Sequence, residues 1–414
     1  MNKFISVVLS LVLICLCLMP SVFAKNNEEA IVDEGFVNIE DFGARGSDDK
    51  DDTAAFEKAL ATGKNLYLPK GNFYVSKTIV LSDRILCGSS PSKTRIFGII
   101  ADKTSPIILM DGVSSLYDIV IGYKTKSECN GAKQGEKVAI QIGSNNKPLE
   151  AGSVVKSIYL LYNGTSVYCP EDSGCNRVMF ENIEIKHFTY RGFDMQAKNR
   201  MLNSYSNCYI TSHSQTEPEC KVDCGFALEG SSYCESLNQV NVEHDEYNYA
   251  VILKNAQGIN VSSMHLEGVC LRTKDAGYVF VENTSGYIAS ICTMYTRVMQ
   301  KNNYLFYFGD SQSSDVLEID LVQCRGLNGF DKIAHPLWDK DRITKGLDRG
   351  LLDGSAEAKT FRLFGRKANA IGKYTVNVGY NSYLSYLNGK ENDDTALYRT
   401  YESTKNFDVN VEID

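Results

Sequence analysis

Six segments of the chain repeat one short pattern: Asn or Gly, apolar residues at alternate positions, then a polar break. They are 182-NIEIKHF-188, 207-NCYITSH-213, 238-NQVNVEH-244, 258-GINVSSMHLEG-268, 286-GYIASICTMY-295 and 316-VLEIDLVQC-324. Alternation at period two is the signature of a strand with one buried face. The segments start roughly 20 to 30 residues apart. A sandwich would place strands every 8 to 12 residues or so. A strand recurring at the longer interval fits one coil of a solenoid, each coil stacking on the last. Long helical periodicity is scarce. The stretch 211-TSHSQTEPECKVDCG-225 reads as a loop leaving the stack.

The start of such a stack needs a cover, because its first coil exposes an apolar end. The stretch 48-DDKDD-52 precedes an apolar run in which Ala55, Phe56, Ala59 and Leu60 form one helical stripe. Acidic residues are favoured at a helix start, where unpaired N–H groups point outward. The spacing predicts Asp51 as N-cap, Asp52 as the first helical residue and Gly63 as the closing residue. A strand, 65-NLYLP-69, and a longer one, 73-FYVSKTIVL-81, follow. The acidic cluster is thus a helix start rather than a catalytic centre.

The run 41-DFGARGSDDKDDTAAFEKAL-60 with 66-LYLPKGNFYV-75 resembles the N-terminal segment of the pectate-lyase-like superfamily. That group is also described as rhamnogalacturonase/epimerase-like and includes phage tailspike depolymerases. Asp41, Phe42, Gly43, Ala44, Asp51, Asp52, Thr53, Pro69 and Gly71 match its pattern, with Phe73 where tyrosine is usual. The resemblance implies an all-β, right-handed, single-stranded parallel β-helix with a short N-terminal capping helix. It implies a carbohydrate-active protein without fixing the reaction, since members include hydrolases, lyases, epimerases and binding proteins. The Asn-Thr-Asp, Gly-His-Gly and Arg-Ile-Lys motifs of polygalacturonase-type relatives do not occur in this sequence, nor does Asp-Pro-His. No catalytic residue carries over from the family.

Around that core the chain divides into three. Residues 1–24 read as an export signal: Lys3, the apolar run 5-ISVVLSLVLICLCLM-19 and a small-residue site ending at Ala24. The run is short of the roughly 20 residues a membrane span needs. The β-helix is expected over 25–330, with its cap at 37–75. Residues 331–414, which hold Trp338, read as a C-terminal cap or a small appended β module. The expected location is secreted or periplasmic. In such a setting the cysteines suggest disulfides, with Cys169–Cys175 and a pairing among Cys220, Cys224 and Cys234 the local candidates. A zinc reading of 220-CKVDC-224 lacks the ligand spacing. Asn163, Asn260 and Asn283 head glycosylation sequons.

A net charge of −8 argues against a nucleic-acid partner. No membrane insertion is expected, and the sequence sets no oligomeric state. The partner implied is a polysaccharide. Four histidines, His187, His213, His244 and His265, each follow or end a strand-like run at coil-like spacing. Carboxylates accompany them. Asp245 and Glu267 fall on adjacent coils, and two carboxylates across a groove are what glycoside hydrolysis uses. The expected catalytic set is Asp245, Glu267, His244, His265 and Asp320. Tyr247 and Tyr249 offer rings for stacking on sugars, with His213 and Arg272 as further substrate contacts. The leading expectation is a glycoside hydrolase that needs no cofactor and no metal. A uronate lyase, with Ca2+ as its cation, and a non-catalytic glycan-binding protein are the alternatives.

Overall fold

The computed structural model describes residues 35–145, 147–212, 222–271, 277–294, 303–308, 316–325, 361–366, 373–379 and 410–412. They form a right-handed parallel β-helix of about nine turns. One wall carries the candidate site. Its strands are β1 (Ser115–Gly122), β2 (Val154–Leu161), β3 (Met179–Lys186), β4 (Ser204–Thr211), β5 (Ser236–Lys254), β6 (Ile259–Leu271) and β7 (Gly286–Met294). Each pairs in parallel with the next. A second wall runs through Thr165–Cys169, Arg191–Met195 and Val222–Leu228 to the far half of β5. A small third sheet joins Gly174–Asn176, Asn199–Met201, Ser232–Tyr233 and Ala256–Gln257.

The alternating apolar residues explain the register. Ile119, Ile158, Ile183, Cys208, Val240, Met264 and Ile291 stack rung on rung. All are buried. Leu116, Val155, Phe180, Tyr205, Leu237, Val261 and Ile288 make a second buried column. Within it the Phe180 and Tyr205 rings stack at 5.0 Å. A slip of one residue would turn every such side chain to solvent. Between the two columns lies an irregularity that recurs from strand to strand. Asp118, Ser157, Asn182, Asn207 and Gln239 all adopt φ between 53° and 59°. That left-handed residue bends each strand and lets two inward side chains sit three positions apart. Asparagine tolerates it best among residues with a Cβ, and Asn207 donates to Asn182 at 2.7 Å.

The capping helix, α1, spans Thr53–Ala61 and buries Ala55, Phe56 and Ala59. Gly63 closes it with φ +76°, its N–H bonded to the Leu60 carbonyl. The N-terminal assignment needs one correction: Asp52, not Asp51, is the N-cap residue. Asp52 turns its carboxylate away from the helix to accept the N–H of Arg45 (2.9 Å) and of Tyr74 (3.0 Å). Asp51 instead accepts from Thr53 N (3.0 Å). The acidic cluster therefore ties the cap to the first coil as well as starting a helix.

The expected Cys169–Cys175 disulfide is also corrected. Both are separate, buried thiols: Cys169 lies 3.3 Å from the Ser173 hydroxyl and Cys175 3.4 Å from Asn203 Oδ1. Cys224 and Cys234 are likewise free, while Cys220 lies outside the described residues. Of the 331–414 section, Phe361–Arg366 and Lys373–Gly379 pair in parallel with Asn303–Phe308 and Val316–Arg325. Trp338 lies outside the described residues.

Two of these contacts have measurable consequences. Asp52→Ala strands two N–H donors at a site 4% exposed, so the first coil should lose about 3 kcal/mol of protection in native-state hydrogen exchange. Asp48→Ala should cost about 0.5 kcal/mol or less; equal losses would contradict the role assigned to Asp52. The second concerns Glu235, which lies in the core beside Asn203 (3.1 Å). Burial pushes it up to about 7, against the opposing pull of Arg200. A folded value above the unfolded one favours the protonated fold. Its contribution is fully present below about 4.5 and is lost as pH rises through about 7. Denaturant unfolding should show about 2 kcal/mol less stability at pH 8 than at pH 5 from this group. Glu235→Gln should remove that difference; an unchanged difference would refute it.

Candidate functional site

The outward positions of the wall strands form two columns. One runs Tyr159, Glu184, Tyr209, Asn241, His265 and Cys292; the other runs Leu161, Lys186, Thr211, Glu243 and Glu267, with Thr211 itself covered. Neighbouring rungs are about 4.8 Å apart, so side chains from six coils share one strip. Glu243 of β5 stands directly opposite Glu267 of β6, and His265 stands two residues before Glu267 on the same face. One ligand atom from each of Glu243, His265 and Glu267 lies within 4.8 Å of the others. His265 Nε2 is 3.1 Å from Glu267 Oε2, and both side chains are about a quarter exposed. Hydrogen bonds to the Cys292 side chain and to Glu267 push His265 up to about 9. It is an imidazolium at neutral pH. Burial, with the Glu243 charge and a hydrogen bond to it, raises the Tyr209 phenol well above its ordinary value.

Toward the N-terminal coils the strip is aromatic and basic. Lys186 Nζ sits 5.5 Å from the Tyr159 ring and 5.6 Å from the Tyr209 ring, ion-paired with Glu184. Glu184 lines two adjoining recesses. One, of about 350 Å3, includes Asn182, Asn207 and Tyr209. The other, of about 670 Å3, includes Phe97, Tyr159, Tyr162 and Arg95. Flat rings and convergent polar groups in an open groove suit a sugar chain.

The structure brings together His265 and Glu267 of the expected set. Asp245 stands opposite Val269 rather than Glu267; the partner of Glu267 is Glu243, absent from the expected set. Its signal was present, since 240-VNVE-243 and 264-MHLE-267 share apolar, polar, apolar, Glu. His187 does not share the rung of His265. It occupies a corner after β3 with φ 56° and stacks on Tyr162 at 5.3 Å, whereas the rung of His265 in β3 is Glu184. Tyr247 is a core residue, fully buried, its hydroxyl bonded to the Glu243 carbonyl at 3.0 Å, which corrects the stacking role expected of it. Tyr249 is half-buried on the second wall, its ring 5.4 Å from Phe280. His213 and Arg272, and the side chains of His244, Asp245 and Asp320, lie outside the described residues.

A second carboxylate group lies on that second wall. Arg191 binds Asp194 (2.8 Å), Asp223 (2.6 Å) and Glu229. Asp194 is fully buried and Arg191 is spent on all three acids, so this network holds coils together and offers no free acid pair. Glu243, His265 and Glu267 also form the set among the described residues that can hold a metal ion.

Residues 36–104 match the family model described as rhamnogalacturonase A/epimerase, pectate lyase-like. No curated protein matches the chain in sequence. Among solved structures, the Agl-KA catalytic domain is similar with a TM-score of 0.52 at 15% identity, over 91% of this chain and 68% of that one. The enzymatically active domain of tailspike protein 2 of bacteriophage CBA120 gives 0.52 at 13% identity, over 84% of this chain and 48% of that one. The gp42 tailspike of Acinetobacter phage AS12 gives 0.52 at 12%, over 83% and 63%. The chain thus spans about half to two thirds of these structures, and the likeness is one of fold.

The site predicts a measurable titration. The His265 ring should titrate near pH 9 by NMR. Glu267→Gln should move it down toward 6.5; a wild-type value near 6.5 would contradict the hydrogen bonds from His265 to Glu267 and Cys292. Residues 36–104 thus carry a rhamnogalacturonase/epimerase-type, pectate lyase-like segment, and the described residues share the right-handed parallel β-helix fold of these structures.

Proposed function

We propose that the chain hydrolyses a polysaccharide lying along the wall groove, with Glu243 and Glu267 as the carboxylate pair. The observation that carries this reading is their direct opposition on adjacent strands, with ligand atoms no more than 4.8 Å apart. Retaining glycosidases hold their two carboxyl groups at about 5–5.5 Å. Glu267 Oε2 is held 3.1 Å from the His265 ring nitrogen. Glu267 attacks the anomeric carbon while a protonated Glu243 gives its proton to the departing glycosidic oxygen as that bond breaks; Glu243, now ionised, then takes a proton from the water that hydrolyses the Glu267 ester and is thereby reset. Tyr209, Tyr159 and Lys186 hold the sugars on the N-terminal side. The export segment expected at residues 1–24 fits a polymer outside the cytoplasm. The family model that residues 36–104 match is also named for glycan-acting enzymes.

The test is reducing-end release from plant, algal and capsular glycans. Glu243→Gln and Glu267→Gln should each lower the rate at least about 100-fold, with folding checked by circular dichroism. Wild-type rates in both variants would overturn the assignment.

A second reading rests on the same donors. Two carboxylates and an imidazole can hold a divalent cation against a uronate carboxylate, in support of β-elimination. A cation would first have to displace the His265 proton. This reading predicts unsaturated products absorbing in the ultraviolet and loss of activity with a chelator. Hydrolysis predicts neither.

A further inference from the structure

The third, four-stranded sheet carries a recess of about 590 Å3 away from the wall groove. Its lining includes Ser144, Asp172, Asn176, Asn199, Met201 and Tyr233. Asn176, Met201 and Tyr233 occupy one rung each of successive coils. Tyr233 is 55% exposed and Met201 42%, unusual for large apolar side chains in this protein. The floor is tight, since a Cβ on Gly174 would come within 2.9 Å of Pro148.

We propose that this recess is a second, non-catalytic carbohydrate site that takes an uncharged stretch of a glycan. Tyr233 provides a flat ring for the C–H face of a sugar, with Met201 beside it. Asn176, Asn199 and Asp172 offer amide and carboxylate groups to sugar hydroxyls. Their side chains form no hydrogen bond with another described residue, so these groups remain available. The exposed charge of the lining disfavours an acidic glycan. Its exposed ionic group is the Asp172 carboxylate. Arg200 is fully buried and donates to the Met195 carbonyl inside the coil. A chain held here raises the local concentration of polymer at the groove on the other wall. The proposal does not depend on which bond that groove cleaves.

Affinity electrophoresis of the full chain tests it. The gels contain a neutral β-glucan, a neutral α-glucan, a galactomannan or polygalacturonate. The Glu267→Gln background prevents digestion and leaves this recess intact. At least one neutral polymer should retard the protein, and Tyr233→Ala should weaken that retardation about tenfold. Asn199→Ala should weaken it as well, and Tyr209→Ala should leave Tyr233-dependent retardation in place. The proposal is overturned if no neutral polymer retards the protein, if Tyr233→Ala and Asn199→Ala both migrate as their parent, or if Tyr233-dependent retardation occurs only with polygalacturonate. Because binding is read without cleavage, failure here and failure of the hydrolase reading are separate results.

Discussion

The parallel register between successive wall strands is the constraint on which everything else depends. It is held by ladder hydrogen bonds and by buried columns such as Ile119, Ile158, Ile183, Cys208, Val240, Met264 and Ile291. Once those side chains face inward, the residues between them must face outward. Glu243 and Glu267 meet because Val242 and Leu266 are stacked in the core. No loop has to fold back to assemble the pair. Sites placed on strands in this way are held more precisely than sites on loops.

The same register decides which charges are available for chemistry. On the second wall, Arg191 lies within reach of three acids and ties each of them into an ion pair. On the first wall, a histidine stands beside the two glutamates, and an imidazole changes charge where an arginine cannot. Two clusters of similar composition thus differ in what they can do. The buried cysteines follow the core logic. Burial pushes Cys169 up to about 11 and Cys208 up to about 12, so these thiols are packing residues with little nucleophilic character.

Much of the fold was legible because the signals are local. The apolar alternation recurs in every coil, and the 41–75 motif marks the first one. The site was half legible. His265 and Glu267 stood out as a histidine and an acid beside a strand. Glu243 did not, because finding it requires the exact inter-strand register. Asp245, two residues further along β5, stands opposite Val269 instead. The histidines show a related limit: sequence spacing gives the coil interval and leaves the position within the coil open, so His187 stands at a corner and His265 on the wall. Tyr247 shows the same limit, since alternation breaks where β5 passes from one wall to the next and its ring turns into the core. The Asp52 contacts with Arg45 and Tyr74 are non-local, so capping rules placed the helix start one residue early.

The central claim is that the catalytic pair faces a sugar chain laid across β4, β5 and β6. A crystal structure of Glu267→Gln with a bound oligosaccharide tests it most directly. The account predicts a glycosidic oxygen within hydrogen-bond reach of Glu243, with a sugar ring against Tyr209 on the N-terminal side. An oligosaccharide seated instead on the second wall beside Arg191, with the Glu243 carboxylate facing solvent, would contradict it.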